Sequence, residues 1–224
     1  MGKVLSVFFD EAGQQDMSEG YYLLTLVLHD QSTSLIPYIE DYEESLSIGG
    51  LSDVPFHMVD LLHGHGDYEG MDTHERKSLL ARFNAFVRVL PIQYHTFKYS
   101  SFDVATKDDL STRMRRDIVD FIYANLESFL SCDTIAVYYD DGQQAVTRAV
   151  HDAFGYMLGG VVVRYKQYGY QDRRLSQVAD YLCSIELASI RYVRGEESST
   201  YHKFFGMRGD FKRNYLKQAH RKLM

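Results

Sequence analysis

Cysteine, proline and long apolar runs are all scarce in this chain. Of 224 residues, two are cysteine and three are proline. Two cysteines cannot build a disulfide scaffold. Cys132 at an expected strand start and Cys183 on an expected helix read as small buried hydrophobes in a reducing cytosol, with a bridge between them the lesser alternative. With so few prolines, and no repeat, low-complexity tract or Pro-rich linker, nothing marks a domain boundary, and a single domain is expected. No stretch of about 18 apolar residues occurs, which excludes a helical membrane span. The N-terminal residues enter a strand with no basic stretch and apolar core ahead of it, so no signal peptide and a cytoplasmic location are expected. Gly49-Gly50 and Gly159-Gly160 are isolated pairs, and neither belongs to a phosphate-cradling loop or a dinucleotide fingerprint.

What the chain does hold is acid at the ends of apolar runs. Val4-Leu5-Ser6-Val7-Phe8-Phe9 runs into Asp10-Glu11-Ala12-Gly13, and Ile135-Ala136-Val137-Tyr138-Tyr139 runs into Asp140-Asp141-Gly142-Gln143. Runs this rich in Val, Phe and Tyr, stopped by a glycine turn, read as buried strands. In an α/β sheet the C-terminal strand edge is where ligands collect. Parallel neighbours would set Asp10 beside Asp140. Carboxylates that close cannot both stay ionised without a cation, and a hard ion such as Mg²⁺ or Mn²⁺ is the natural partner.

Each acid also has a plainer role open to it. Asp10 could cap a turn, although the apolar run before it and Gly13 after it favour a site. Asp141-Gly142 is a turn signal, which leaves Asp140, on the strand face of Ala136 and Tyr138, as the functional member of its pair. Asp180 lies in Leu175–Glu186, whose Leu175, Val178, Ala179, Leu182 and Ile185 make one helical stripe. It sits off that stripe, beside Gln177 and Ser184, and only the company of the other acids lifts it above an ordinary surface residue. Glu11 points away from Asp10 in a regular strand unless the turn swings it in. Glu186 falls within the apolar stripe, either paired with an Arg in the core or serving as a supplementary acid.

Two strand-end acids plus one helix acid is the constellation of ribonuclease H-like nucleases and integrases. At these segments the chain resembles the domain of unknown function 3800 family, a ribonuclease H-like group found mostly in bacteria and phages. The matching residues are Phe9-Asp10-Glu11-Ala12-Gly13, Tyr139-Asp140 with Gly142-Gln143, and Gln177-Val178-Ala179-Asp180, with Phe56-His57 ahead of Leu61-Leu62 as a further landmark. The likeness runs over roughly residues 4–192 and rests on the order of these pieces. It implies a mixed five-stranded sheet, three strands antiparallel and two parallel beside the first.

The hydrophobic pattern independently suggests strands at 3–10, 20–29, 92–100, 133–140 and 160–167, with helices at 33–47, 72–89, 108–129, 143–157, 174–194 and 210–222 and an irregular stretch up to about residue 71. A ribonuclease H-like domain over 1–200, with a helical or irregular insertion at about 31–90, and a basic helical tail at 201–224 packed on the same domain are expected.

Histidine and charge complete the pattern. His57 lies among apolar residues, either entering the acidic site to activate water or hold a phosphate, or sitting as a satisfied core histidine. His63-Gly64-His65-Gly66-Asp67 superficially resembles a zinc-hydrolase run, but Tyr68 stands where a further His belongs and no clear downstream ligands follow, so a flexible glycine loop is the better reading. The net charge is −7, yet residues 201–224 carry seven Lys or Arg against Asp210 alone. The stretch from Arg164 to Arg174 interleaves cations with tyrosines, a mixture that neutralises phosphates and stacks bases, or else a solvated edge strand and loop. The expectation is a Mg²⁺- or Mn²⁺-dependent nuclease acting on DNA or RNA. Asp10, Asp140 and Asp180 would be its metal ligands, with Glu11 and His57 beside them. The alternative is a catalytically silent ribonuclease H-like binding or regulatory module.

Overall fold

A computed structural model describes residues 2–14, 18, 20–102, 104, 106–139, 144–159, 161–165 and 170–224. Asp140, Asp141, Gly142 and Gln143 lie outside the described residues. The chain is a mixed α/β structure with a sheet in the order β3-β2-β1-β4-β5. Strand β1 (Val4–Gly13) pairs antiparallel with β2 (Tyr21–Asp30), and β2 pairs antiparallel with β3 (Gln93–Ser100). On its other side β1 pairs parallel with β4 (Thr134–Tyr138), and β4 pairs parallel with β5 (Val162–Tyr165). The five comparable strands expected from sequence are therefore four of five to ten residues and a four-residue edge segment.

Alternation along β1 divides the core. Phe8 faces a layer built from α1 (Ile36–Ile48), α3 (Thr73–Val89) and α7 (Tyr170–Arg194), where it stacks on Tyr138 with ring centroids 4.4 Å apart. Val7 and Phe9 face the opposite layer, with Met114 and Ile118 of α4 (Lys107–Ala124) and Ala153 and Phe154 of α6 (Gln144–Met157). A period of two sends alternate side chains to opposite faces, so an apolar run covered on both sides is a buried central strand. Each large side chain fully buried here stabilises by roughly 1.5–3 kcal/mol.

The structure departs from the expected elements where local signals were short. The stretch expected to be irregular contains α2 (Met58–His63), followed by a 3₁₀ turn at Gly66–Tyr68. The helix expected at 108–129 breaks at Asn125 and restarts as α5 (Leu126–Leu130), because the Asn125 side chain donates to the Phe121 carbonyl at 2.8 Å and competes with the helical ladder. A short helix α8 (Ser199–Phe205) leads into the tail at 201–224, its first turn capped by Ser198 accepting from the Tyr201 N–H. The tail continues with α9 (Arg208–Phe211) and passes into a π-helical turn over Lys212–Leu216. It packs by its aromatic face: Phe211 is buried and stacks on Tyr192 at 4.7 Å.

Strand β1 runs three residues further than expected, through Glu11, Ala12 and Gly13, which keep register with Leu24, Leu23 and Tyr22. Gly13 ends it with a positive φ of 97°, and a Cβ there would collide with the Tyr21 carbonyl. Only glycine fits this close approach.

Candidate functional site

The site-forming end of the molecule is the C-terminal edge of β1. Asp10, Glu11 and Gly13 line a pocket of about 500 Å³ whose other walls include His57 and Met58 near the start of α2, Asp180 and Arg191 on α7, and Tyr201 on α8. Asp10 shares the strand face of Phe8 and looks toward α7, opposite Thr25 in the register. The neighbouring Cys183 thiol is pushed well above its ordinary value by burial, and the nearby Asp10 charge adds to the rise.

Asp180 is the best-defined acid. Its Oδ2 accepts the Met58 backbone N–H at 2.8 Å, and its Oδ1 accepts the Ser184 hydroxyl at 3.3 Å. Burial raises its pKa; the His57 charge and these two donors oppose the rise, while the Asp60 carboxylate adds to it. A carboxylate shielded from water near other acids gains from a cation.

Glu11 keeps the alternation of a regular strand, and its Oε2 accepts the Tyr139 hydroxyl at 2.8 Å while still lining the pocket wall. His57 is the residue before α2. Its backbone N–H donates to the Tyr68 hydroxyl at 3.2 Å, and its Nδ1 lies 3.1 Å from Asp60 Oδ2. Its side chain is half exposed on the pocket wall, not a core histidine. The last β1–β4 pair is Phe8 with Tyr138. Asp10 and Asp140 each follow that pair by two residues in sequence, and Asp140 lies outside the described residues.

Asp10 and Asp180 both line this pocket, and carboxylate oxygens are hard donors that suit Mg²⁺ or Mn²⁺ over softer ions. Among the described residues, no group of three or more His, Cys, Asp or Glu side chains is arranged to hold a metal ion. The chain shares 16% identity with a solved structure entitled "Structure of the PCNA:RNase HII complex from Archaeoglobus fulgidus", with 96% of this chain and 87% of that chain covered and a TM-score of 0.39. A likeness at that score carries no weight for activity. No family model matches the chain, and no curated protein does, so the resemblance to the domain of unknown function 3800 family rests on its motif residues alone.

Several residues named from sequence lie elsewhere. Glu186 is buried on α7 and serves the fold: its Oε1 accepts from Tyr94 at 2.6 Å and lies 2.9 Å from His220 Nε2, while its Oε2 pairs with Lys98 at 2.7 Å. Burial alone would raise its pKa, but Lys98, Tyr94 and His220 outweigh that and hold it below the ordinary value. Arg174, read as part of a basic stretch, is buried over the Tyr42 ring and bonded to Glu43 and Asp53. That ion-pair cluster withdraws it from any phosphate. Lys166, Gln167, Tyr168 and Gly169 of the same stretch lie outside the described residues.

The His63-to-Asp67 run closes α2. Gly64, at φ 75°, donates to the Asp60 carbonyl at 2.7 Å, and His65 donates to the same oxygen at 3.0 Å. This is a helix C-cap, where the sequence suggested a loose glycine loop. Both cysteines are buried and carry free thiols.

Sequence reading missed Asp60, which holds His57, and Tyr68, which fixes the backbone at His57. It also missed Arg191, although its spacing from Asp180, Ser184 and Leu187 puts all four on one helical face. Among the described residues, no helix is long and apolar enough to cross a membrane.

Proposed function

We propose that the protein is a metal-dependent nuclease with a ribonuclease H-like fold, hydrolysing phosphodiester bonds in DNA or RNA. The observation that carries the reading is the meeting of Asp10 and Asp180, from the first strand and the last long helix, on one pocket with Glu11 and His57. Asp10 and Asp180, joined by Asp140, would hold Mg²⁺ or Mn²⁺. Such an ion, when bound, activates water and stabilises the leaving oxygen.

The chain's own residues do the rest. The Met58 N–H and the Ser184 hydroxyl fix the Asp180 carboxylate in one rotamer, so it does not have to be ordered when substrate arrives. Asp60 holds the Nδ1 side of His57, which sets Nε2 as the nitrogen able to accept a proton or bond a phosphate oxygen. Glu11 is steadied by Tyr139 at the pocket wall.

The test is Mn²⁺-dependent cleavage of labelled oligonucleotides by wild type, Asp10→Asn and Asp180→Asn. Each variant should lose at least about a hundredfold in rate, the scale of a removed catalytic group. Equal activity in all three would assign the cleavage to a contaminant and sink the reading. The second reading, a silent binding or regulatory module, draws on the lack of a three-residue metal cluster among the described residues. Binding of oligonucleotide without cleavage, and without measurable Mn²⁺ uptake, would favour it.

A further inference from the structure

A second cavity, of about 480 Å³, lies at the other end of β1 from the acidic pocket. Leu5 lines this one and Gly13 lines the other. Eight steps along one strand put those two residues about 26 Å apart, so the sites are separate. Leu28, Ile92 and Phe129 give the cavity apolar walls. Three cations also line it, Lys3 from the strand end and Arg221 and Lys222 from the C-terminal turn. Asp30 is the one carboxylate side chain among the lining residues.

Lys3 is already occupied, since it pairs with Asp30 at 3.4 Å and donates to the Ser131 hydroxyl at 3.3 Å. The other two cations meet only neutral acceptors. Arg221 Nη1 donates to Gln218 Oε1 at 2.9 Å, and the Lys222 ammonium donates to the Leu90 carbonyl. Among the described residues neither has an ion-pair partner. Lys222 is half-buried, and burial lowers its pKa with no carboxylate beside it to raise it again. An ammonium has three donors, and Leu90 takes one. A cation drawn from water without a counter-ion is destabilised, and an anion would relieve that cost.

We propose that this cavity binds a small organic phosphate monoester, its head on Arg221 and Lys222 and its apolar body against Leu28, Ile92 and Phe129. Charge favours phosphate over carboxylate. A monoester carries about −1.5 to −2 near neutral pH, which matches two cations that lack a carboxylate partner. Arginine bonds such a head through two parallel N–H groups, and lysine adds a point charge. The volume falls within the range of about 300–1,000 Å³ usual for small-molecule sites. Arg221 and Lys222 belong to the basic tail and Lys3 and Leu5 to the sheet, so an occupant ties the two together. The inference does not rest on the nuclease reading.

The experiment is calorimetric titration slightly above neutral pH, in EDTA, which keeps metal from holding a probe at Asp10 and Asp180. The probes are phenyl phosphate, inorganic phosphate and benzoate, added to wild type, Lys222→Gln and Lys222→Arg. Wild type should bind phenyl phosphate at least about tenfold tighter than inorganic phosphate, because the ring adds apolar burial. It should prefer phenyl phosphate to benzoate by a similar factor of about ten, because benzoate carries a single charge. Lys222→Gln should weaken phenyl phosphate at least about tenfold, and Lys222→Arg should restore most of the loss. In wild type, phenyl phosphate should shift the backbone amide resonances of Ile92, Phe129 and Lys222 and leave Glu11 and Ser184 in place. That readout depends on no variant.

No binding of phenyl phosphate to wild type, equal affinity for the three probes, unchanged affinity in Lys222→Gln, or shifts centred on Glu11 and Ser184 would each overturn the site. Phenyl phosphate bound as expected by a protein that cleaves no oligonucleotide would leave the site standing without the nuclease reading. Cleavage with no phenyl phosphate binding would do the reverse.

Discussion

The backbone N–H of Met58 donates to Asp180 Oδ2 at 2.8 Å, joining residues 122 positions apart. One end of this bond is the candidate acid of α7. The other is the first residue of α2, a six-residue helix. The link sets His57, the residue before α2, on the wall of the pocket that Asp180 also lines. Displacing α2 would therefore disturb both the acid and the histidine.

Tyr68 supports this junction from behind. Its hydroxyl donates to the Pro55 carbonyl at 3.1 Å and accepts from the His57 N–H at 3.2 Å. Tyr68→Phe should cost about 1–3 kcal/mol in urea denaturation, because two backbone groups lose their partner. Cleavage should fall as well, with the fold intact by circular dichroism. A stability change under about 0.5 kcal/mol would mean that water replaces the hydroxyl.

Glu186 gives a pH signature. Its folded pKa lies below the ordinary 4.5, so its contribution to stability is complete above that value and is lost as pH falls through the lowered folded value. Glu186→Gln should cost about 1–3 kcal/mol near neutral pH, since Lys98, Tyr94 and His220 all lose an anionic acceptor. The gap between wild type and variant should narrow as denaturation is repeated at progressively lower pH below 4.5. A gap that stays constant would show that the ion pair adds nothing.

The tail separates into an inner aromatic face and an outer cationic one. Phe211→Ala should destabilise the whole protein by about 3–5 kcal/mol, the usual cost of emptying a buried phenylalanine site. Replacing the exposed Lys212, Arg213, Lys217 and Arg221 with Gln should change stability by less than about 1 kcal/mol, since exposed pairs such as Arg213 with Asp210 contribute little. The same quadruple variant should bind oligonucleotide with a flatter salt dependence, by about 0.7–0.9 in slope for each lost phosphate contact. An unchanged slope with earlier melting would show that these cations serve the fold.

Gly13→Ala tests the end of β1. The residue has a positive φ, and its missing Cβ makes room for the Tyr21 carbonyl. A methyl group there should cost at least about 1 kcal/mol and shift the strand end that carries Asp10 and Glu11. Both a lower melting temperature and weaker Mn²⁺ affinity are expected. Unchanged values in both measurements would show that the turn relaxes freely.

The sequence alone determined the parts whose physics is local. An apolar run covered on both faces needs no partner to be recognised, so β1, β2 and β4 were legible, as were the long amphipathic helices α3, α4 and α7. The same local signals put Asp10 at a strand end and Asp180 off the apolar stripe of a helix, where by itself it reads as an ordinary surface residue. Only the tertiary structure decided the rest. The six-residue helix α2 is too short to form unaided, and it stands where Met58 meets Asp180 and Arg76 reaches the Leu61 and Leu62 carbonyls. Arg174 looked like a surface cation until Glu43 and Asp53 closed around it, and Glu186 looked misplaced until Lys98, Tyr94 and His220 met it. A charge run records how many ions a segment carries. Which of them face water depends on partners distant in sequence, and those are brought together only when the chain folds.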